Sequence, residues 1–422
     1  MKVMVIGGGG REHAIVKKLK ENKEVTELYC LPGNGGIACD AVCVPVSATD
    51  IEGIVRFACE KGIEYAVVTP DDPLALGAVD ALEAAGVRCF GPKKNAAIIE
   101  ASKVFAKDLM KRYGIPTARY EQFDDSESAL QYLRNAPFPI VIKADGLALG
   151  KGVIIAGTRE EAEKAVRAMM EDKRFGKSGE RIVIEEFLEG PEVSVLCFTD
   201  GKTLAPMVSS MDHKRAGEGD TGLNTGGMGT VAPNPFYTPE IAERCMREIF
   251  LPTIRAMAAE GRPFKGCLYF GLMLTNDGPK VIEYNCRFGD PETQVVLPLL
   301  KTDLFTVMQA VTAEKLKDCP VTFEDGAAAC VILASKGYPG SYEKGYPIHI
   351  PADLDAEVYV AGAKEKDGAL VTSGGRVLGV TATAPTLKEA LQKAYAAAEQ
   401  IRFENVYYRR DIGKRALAAQ ED

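Results

Sequence analysis

MKVMVIGGGGREHAIVKKLKEN, residues 1–22, decides how this chain begins to fold. Residues 1–6 form a short apolar run with β character, Gly7 to Gly10 interrupt it, and residues 11–22 read as a helix. Strand, glycine turn and helix in that order are the first part of a βαβ unit, which implies a parallel sheet. The alternation continues outward. Strands are expected over 26–31, 65–69 and 87–90, with helices over 50–61 and 74–85, and Gly91-Pro92 marks the edge of the unit.

Beyond that edge the pattern becomes mixed. A helix is predicted over 95–113, ended by Gly114 with Pro116 close behind. A compact α+β segment follows, with helices over 126–134 and 159–171 and strands over 140–144, 152–156 and 181–187. The glycine-rich turn between its first two strands suggests a hairpin that covers something. Strands over 192–199 and 203–209 lead into residues 212–235, which carry six glycines between 217 and 229 and are too long for a routine connector. A helix over 239–260 precedes strands over 269–275 and 280–285, joined by Asn276-Asp277-Gly278, a hairpin turn sequence. The last domain starts with an apolar strand near Ala327 and ends with an alanine-rich helix over 386–401. The fold class is therefore α/β and α+β multidomain, with an N-terminal parallel-sheet, Rossmann-like domain and a small C-terminal α+β domain.

Composition bounds the function. The 422 residues correspond to roughly three domains. With 46% hydrophobic and 26% charged residues, the chain can bury large cores. A net charge of -8, from 51 basic and 59 acidic side chains, gives no general positive field to draw nucleic acid or an acidic membrane. No apolar run reaches membrane-spanning length, and the opening lacks the apolar core and cleavage site of a signal peptide, so a cytoplasmic protein is expected. The 11 cysteines include no Cys-x-x-Cys pair and are expected to be reduced and buried. Only three histidines are present (His13, His213 and His349), which argues against a structural zinc site.

Four constellations carry chemistry. Gly7 to Gly10 with Arg11, Glu12 and His13 sit between strand and helix, where free N–H groups favour an anion. Position 12 is Glu where the dinucleotide fingerprint needs its third glycine, so a nicotinamide cofactor is disfavoured and a single phosphate is preferred. Lys143-Ala-Asp145-Gly146-Leu-Ala-Leu-Gly150-Lys151-Gly152 misses the P-loop spacing and has strands on both sides. A hairpin lid with one lysine on its entering strand and one at its tip could cover a triphosphate. Glu283, Asn285 and Arg287 alternate on a strand and share a face if it persists. A carboxylate and an amide oxygen suit Mg2+ held jointly with phosphates, and the arginine fork suits a carboxylate or phosphate. In residues 212–229, basic side chains followed by glycines suit closure over an anionic substrate. His213 there could exchange protons or serve as a hydrogen-bonding group.

Taken together, GGGGREHA, PGNGG, KADGLALGKGV, EEFLEGPE, DHKRAGEGDTGLNTGGMG, EYNCRFGDPETQ, TSGGRVL and YYRRDIG resemble the phosphoribosylamine-glycine ligase family of ATP-grasp enzymes, in order along nearly the whole chain. The resemblance implies a pre-ATP-grasp N-terminal domain (1–102), a two-part ATP-grasp core (103–325, lid about 118–190) and a C-terminal domain (326–422). It further implies that ATP, glycine and 5-phosphoribosylamine give glycinamide ribonucleotide, ADP and phosphate through glycyl phosphate, the second step of de novo purine synthesis, with Mg2+ or Mn2+. By matching motifs, Lys103 and Lys143 contact the nucleotide phosphates, with Gly150 and Lys151 in the lid. Glu185, Glu186 and Leu188 form the adenine hinge, Glu192 holds the ribose, and Glu283 and Asn285 hold the metal. Arg287, Asp212 and Lys214 are the catalytic candidates. Asp220 and Asp290 are assigned to substrate, with Gly9, Asn34, Gly35 and Arg376 near its phosphate. The resemblance also implies a monomer and, with the chain ending at 422, a stand-alone bacterial-type enzyme.

One departure stands out: where many members read Gly-Pro-Glu-x-Pro-Leu, this chain has Thr69-Pro70-Asp71-Asp72-Pro73-Leu74. Another ATP-grasp carboxylate–amine ligase would keep the lid and metal pair without these loop and C-terminal motifs. A silent nucleotide-binding protein would show damage at Glu283 or Asn285, and both are intact. Lys151→Ala is expected to raise the KM for ATP with no change in melting temperature. A large loss of thermal stability would instead assign Lys151 a structural role.

Overall fold

The alternation read over the first ninety residues assembles one parallel sheet. Its strands are β1 (Lys2–Gly7), β2 (Glu27–Pro32), β3 (Val42–Cys43), β4 (Tyr65–Val68) and β5 (Arg88–Phe90), in the order β3-β2-β1-β4-β5. Helices α1 (Gly10–Lys20), α2 (Ile51–Lys61), α3 (Asp71–Leu76) and α4 (Ala78–Ala84) connect them. Val3, Met4, Val5 and Ile6 are fully buried, as the centre of a sheet covered on both faces requires. Asp50 caps α2 by accepting from Gly53 N, and Gly62 ends it in the left-handed region. The helix expected over 74–85 is two helices, because Gly77 (φ +93°) ends α3 and α4 restarts behind it. The computed structural model describes residues 1–147, 152–172 and 176–421. Gly150 and Lys151, expected in the lid, lie outside the described residues.

The helix expected over 95–113 is also two, α5 (Lys94–Ala101) and α6 (Lys103–Tyr113). Ser102 leaves the helical region (φ −134°, ψ 113°), accepts from Phe105 N and so caps α6, which puts Lys103 at its first residue. Next comes a four-stranded antiparallel sheet, β6-β9-β7-β8, from β6 (Tyr120–Phe123), β7 (Ile140–Ala144), β8 (Val153–Ala156) and β9 (Ile182–Glu186). Helices α7 (Ser126–Leu133) and α8 (Arg159–Met170) cover its face around Ile142, Val166 and Met169.

A second four-stranded sheet, β11-β10-β16-β17, holds β10 (Glu192–Thr199) and β11 (Leu204–Pro206), together with the long hairpin β16 (Gly266–Thr275) and β17 (Gly278–Asn285). The expected loop over 212–235 proves structured. After β12 (Met211–Asp212), β13 (Arg215–Gly217) and β14 (Thr221–Asn224) form a small hairpin, and β15 (Gly229–Ala232) follows. The helix over 239–260 forms as α9 (Pro239–Cys245) and α10 (Leu251–Ala259), joined by a π-turn over Met246–Phe250. Pro252, which lacks an N–H, accounts for that irregular turn. Helices α11 (Thr293–Leu299) and α12 (Leu304–Thr312) follow.

The final sheet orders β12-β15-β18-β22-β19, from β18 (Ala327–Ser335), β19 (Glu357–Val360) and β22 (Arg376–Ala384), so two strands from the 211–232 stretch complete it. The hairpin β20 (Ala363–Lys366) and β21 (Ala369–Thr372) lies apart, and the short β23 (Val406–Tyr407) pairs with β18. Helix α13 (Leu387–Ala398) packs on the sheet behind a Thr386/Glu389 capping box, and α14 (Lys414–Glu421) ends the description. All eleven cysteines are free thiols, but Cys39 and Cys59 are exposed, which corrects the expectation that the cysteines are buried. Both lie on the outer surface of the first domain, where small apolar side chains are tolerated singly. Among the described residues no helix is long and apolar enough to cross a membrane.

Three rings fasten the layers at one point. Phe90 of β5, Phe198 of β10 and Phe288 after β17 lie 5.9 to 6.3 Å apart, centroid to centroid, and all are buried. This joins the first sheet, the second sheet and the Arg287–Thr293 turn. Phe288→Ala is expected to destabilise the protein by about 3–5 kcal/mol in urea denaturation. A loss below about 1 kcal/mol, the level of an ordinary surface change, would show that this junction does not hold the layers.

Candidate active site

Between the β6–β9 sheet, the β10–β17 sheet, residues 211–226 and the C-terminal segment lies a cleft of about 1300 Å³. It is lined by Lys103, Lys143, Glu185, Glu186, Leu188, Glu192, Asp212, Lys214, Asp220, Glu283, Asn285, Arg287, Asp290 and Arg376. Residues dispersed over nearly three hundred positions thus face one space.

At one end the strand β7 and helix α6 deliver lysines. Lys143 Nζ donates to Ile282 O (2.9 Å) and pairs with Glu185 Oε1 (3.0 Å). The other oxygen of Glu185 pairs with Lys107 Nζ (3.1 Å), which also donates to Thr117 Oγ1 (2.8 Å). Burial lowers the Lys107 ammonium to about 8. Glu185 is therefore clamped by two cations, and its carboxylate is committed to orienting lysines. Glu186 is likewise held by Arg119, through both N–H and Nε (2.9 and 2.8 Å). The connection after β9 belongs to neither neighbouring strand, and Leu188 packs there with Ala118, Met273 and Ile282. With Val141, Val153 and Ile155 also in the lining, this end is an apolar slot between charged walls.

Lys103 sits where α6 begins and donates to Gly146 O (3.1 Å). Burial, then Lys143, lowers its ammonium. Asp145 builds this corner: its Oδ1 accepts from Ser102 Oγ (2.9 Å) and Val104 N (2.8 Å), and its Oδ2 from Arg181 (2.6 Å). The acidic residue of the glycine hairpin thus fastens the hairpin's base to the start of α6.

The centre is Glu283. Lys214 Nζ lies 3.3 Å from its Oε1 and 3.6 Å from Glu192 Oε2. Lys214 first, against the opposing effect of burial, and then Lys143 and Lys103 lower the Glu283 carboxyl to about 2, so it is ionised at neutral pH. Asn285 Oδ1 accepts from Arg287 Nη2 (3.0 Å), so the face shared by Glu283, Asn285 and Arg287 survives although β17 ends at Asn285. The same nitrogen of Arg287 donates to Glu100 Oε1 (2.9 Å), whose Oε2 accepts from Cys286 N (2.7 Å). Burial pushes Glu100 up and Arg287 opposes it. Arg287 Nε is buried and, among the described residues, has no partner, which leaves one donor of the fork free.

Beyond it, burial lifts the Asp212 carboxyl well above the usual range, with Glu292 acting the same way. Asp290 accepts from Gln294 Nε2 (2.8 Å) and pairs with Arg376 (3.2 Å), and Arg376 also donates to Asp290 O and Gly226 O. Burial would raise Asp290, but Arg376 and then Arg11 outweigh it and hold the carboxyl low. Asp220 adopts φ +55° and is bound by Arg409 at 3.0 Å.

Gly9, Asn34 and Gly35 do not line the cleft. Gly9 N donates to Glu12 Oε2 and Gly35 N to Ala363 O, while both ends of the Asn34 amide are used, donating to Gly8 O and Val360 O and accepting from Gly36 N and Ile37 N. Asn34 and Gly35 thus tie a turn of the first domain to the C-terminal segment, while Gly9 N is spent at the start of its own helix, so a phosphate would have to find other donors. His213 has both ring nitrogens engaged, Nδ1 donating to Gly229 O and Nε2 accepting from Gly413 N (3.1 Å each), and burial lowers its pKa. This is the hydrogen-bonding role, with the tautomer assigned from those partners. Sequence reasoning quoted Asp145 and Arg409 within KADGLALGKGV and YYRRDIG without giving them a role, and it missed Glu100 and Lys107. Only Lys107 left a signal, four residues after Lys103 and so on the same helical face.

A parallel first sheet, a four-stranded antiparallel sheet backed by two helices, and a cleft with lysines facing a carboxylate–amide pair define an ATP-grasp architecture. The biotin carboxylase domain of a 2-oxoglutarate carboxylase from Hydrogenobacter thermophilus, solved with MgADP, superposes with a TM-score of 0.73 at 17% identity, covering 96% of this chain and 91% of that one. That likeness concerns the fold. The family models of phosphoribosylglycinamide synthetase match in order: the N domain over residues 1–100, the ATP-grasp (A) domain over 101–293 and the C domain over 328–415. This chain belongs to that family. It is 49% identical to a phosphoribosylamine–glycine ligase of Caldanaerobacter subterraneus over 413 residues, covering 98% of this chain and 99% of the relative. The crystal structure of a phosphoribosylamine–glycine ligase from Thermotoga maritima superposes with a TM-score of 0.85 at 36% identity, covering 98% and 100% of the two chains.

Glu100→Gln removes one charge of a buried pair and leaves Arg287 without its carboxylate. We expect a stability loss of about 3–5 kcal/mol in urea denaturation. A change within about 0.5 kcal/mol would show that Glu100 does not carry the Arg287 charge.

Proposed function

We propose that the chain is a ligase that joins glycine to 5-phosphoribosylamine at the expense of ATP, giving glycinamide ribonucleotide, ADP and phosphate, the second step of purine biosynthesis. The observation that carries the assignment within this cleft is Glu283, ionised and faced by Lys214, Lys143 and Lys103 in a family whose relatives bear that activity. In this reading adenine occupies the apolar slot beside Leu188, against the 185–188 hinge, with Glu192 at the ribose. Lys103 and Lys143 neutralise the phosphates, and Gly150 and Lys151 belong to the lid.

Glu283 and Asn285 fit a hard divalent cation, Mg2+ or Mn2+: one is a carboxylate held ionised, the other an amide oxygen beside it. No group of three or more His, Cys, Asp or Glu suited to a metal occurs among the described residues, so substrate phosphates and water would supply the remaining ligands. Such an ion would neutralise phosphate charge as it moves to the transferring group.

The chemistry needs no protein nucleophile. A carboxylate oxygen of glycine attacks the γ-phosphorus, the bond to the β,γ-bridging oxygen breaks, and ADP leaves with its electron pair. The amine then forms the C–N bond, the acyl C–O bond breaks, phosphate departs and the nitrogen gives up a proton. Arg287 lines the cleft and is assigned to the substrate carboxylate, and Asp212, Lys214, Asp220, Asp290 and Arg376 surround the space where acid and amine meet. Catalysis is positioning and charge neutralisation in a closed site.

Phosphate release from ATP is expected to require both glycine and phosphoribosylamine, the latter made in place from ribose 5-phosphate and ammonia, and to yield glycinamide ribonucleotide by mass. Release only with another acid and amine would overturn the substrate assignment, and none with any pair would overturn the ligase. Glu283→Gln is expected to keep the fold by circular dichroism and to lose orders of magnitude in turnover at saturating Mg2+. Unchanged turnover would remove Glu283 from the metal site.

A further inference from the structure

The motif Tyr407–Gly413 has no part in the chemistry above, yet it encloses one of the largest fully buried side chains of the protein. Arg409 is 1% exposed and uses four of its five donors. Nε and Nη2 grip the two oxygens of Asp411 (2.8 Å each), while Nη1 donates to Arg215 O and Asp220 Oδ1 (3.0 Å each). Asp411 Oδ2 in turn accepts from Gly219 N (2.8 Å), and Tyr407 donates its hydroxyl to Ala216 O (2.7 Å).

These contacts converge on one object, the β13–β14 hairpin. Its root carries Lys214, which reaches Glu283, and its turn carries Asp220 in the left-handed region. A turn with a non-glycine residue at positive φ stays in place only when its surroundings over-determine it. Here the surroundings are an arginine fork and its carboxylate from the far end of the sequence. A fork that satisfies a carboxylate, a main-chain carbonyl and a second carboxylate at once has a geometry that an ammonium cannot reproduce.

We propose that Arg409 is a positioning residue of the ligation: it fixes the β13–β14 hairpin, and through it Lys214, so that the second substrate meets the activated acid. The kinetic part rests on the ligase reading above; the positioning part does not. The enzyme is tested as the full chain. Arg409→Lys is expected to lower kcat/KM for phosphoribosylamine by about tenfold or more while the KM for ATP stays within about twofold. In a cycle with Lys214→Met, the double variant should lose no more than Lys214→Met alone, because residues acting through one another are non-additive. Multiplying losses would overturn the proposal. Amide hydrogen exchange at residues 214–225 should rise about tenfold in Arg409→Lys, with the β18–β22 amides unchanged; an unchanged hairpin would overturn it even with wild-type turnover intact. If Arg409→Lys does not fold, Tyr407→Phe, which deletes one bond to the same hairpin, is expected to show the same exchange pattern in smaller measure, and protection equal to wild type would count against the proposal. Should the wild type ligate nothing from glycine and phosphoribosylamine, the ligase reading fails, and the exchange result still decides whether Arg409 fixes the hairpin.

Discussion

A carboxylate on helix α5 and an arginine just past strand β17 meet in the interior, and both oxygens of the carboxylate are spent there, one on Arg287 Nη2 and one on Cys286 N. Breaking a buried pair of this kind leaves an uncompensated charge, so the joint admits one geometry. Helix α5 is packed against α3 and α4 of the first domain, with Ala96, Ala97 and Ile99 in the shared core, and β17 is the edge strand of the second sheet. The pair therefore sets the distance between two domains, and the Phe90–Phe198–Phe288 cluster seals the same seam with apolar surface. Arg287 in turn holds Asn285 Oδ1, which places the amide beside Glu283.

From that seam the cleft is built by exchange of charge. Lys107 and Lys143 share Glu185, and Lys214 shares Glu283 with Glu192, so the cations of the cleft, among them the Lys143 proposed for the phosphates, are already held in place by carboxylates. Lysines alone in this space would repel one another and lower each other's affinity for protons, as Lys143 does to Lys103. The carboxylates offset that repulsion, and in the proposed reaction substrate phosphates would offer Lys103 and Lys143 new partners. The lysines arrive from α6, β7 and the 212–214 strand end, three elements of different sheets and helices, so the charge balance of the cleft depends on how those layers are joined.

How much of this was legible in the sequence follows from how local each feature is. The βαβ alternation, the glycine hairpin and the β16–β17 hairpin depend on neighbours in the chain, and they stand where periodicity and turn residues put them. The breaks at Gly77 and Ser102 were missed because a single residue leaving the helical region hardly alters an apolar pattern. Residues 212–235 read as a loop because β15 finds its partner in β18, a hundred residues later, and β12 pairs in turn with β15. Lys103, Lys143, Glu283 and Arg376 were reached through motifs. Glu100 was not, because an isolated charge in a helix reads as solvated until the fold brings its partner within 3 Å, and Asp145 and Arg409, although inside quoted motifs, had no role to read because their partners Ser102 and Asp220 lie far off in sequence. Asn34 shows the converse: a polar residue in a glycine turn looked like a ligand group, and its amide is spent on backbone.

In the proposed reaction this cleft activates glycine by transferring phosphate to its carboxylate, with the protein supplying position and charge alone. Turnover with glycine carrying ¹⁸O in both carboxylate oxygens, followed by mass analysis of the phosphate released, tests this directly. Attack by the carboxylate on the γ-phosphorus, then departure of phosphate from the acyl carbon, must leave one ¹⁸O in each phosphate and one in the amide carbonyl of the product. Phosphate free of ¹⁸O alongside amide formation would mean that glycine never carried the phosphoryl group and that the cleft joins the two substrates by another route.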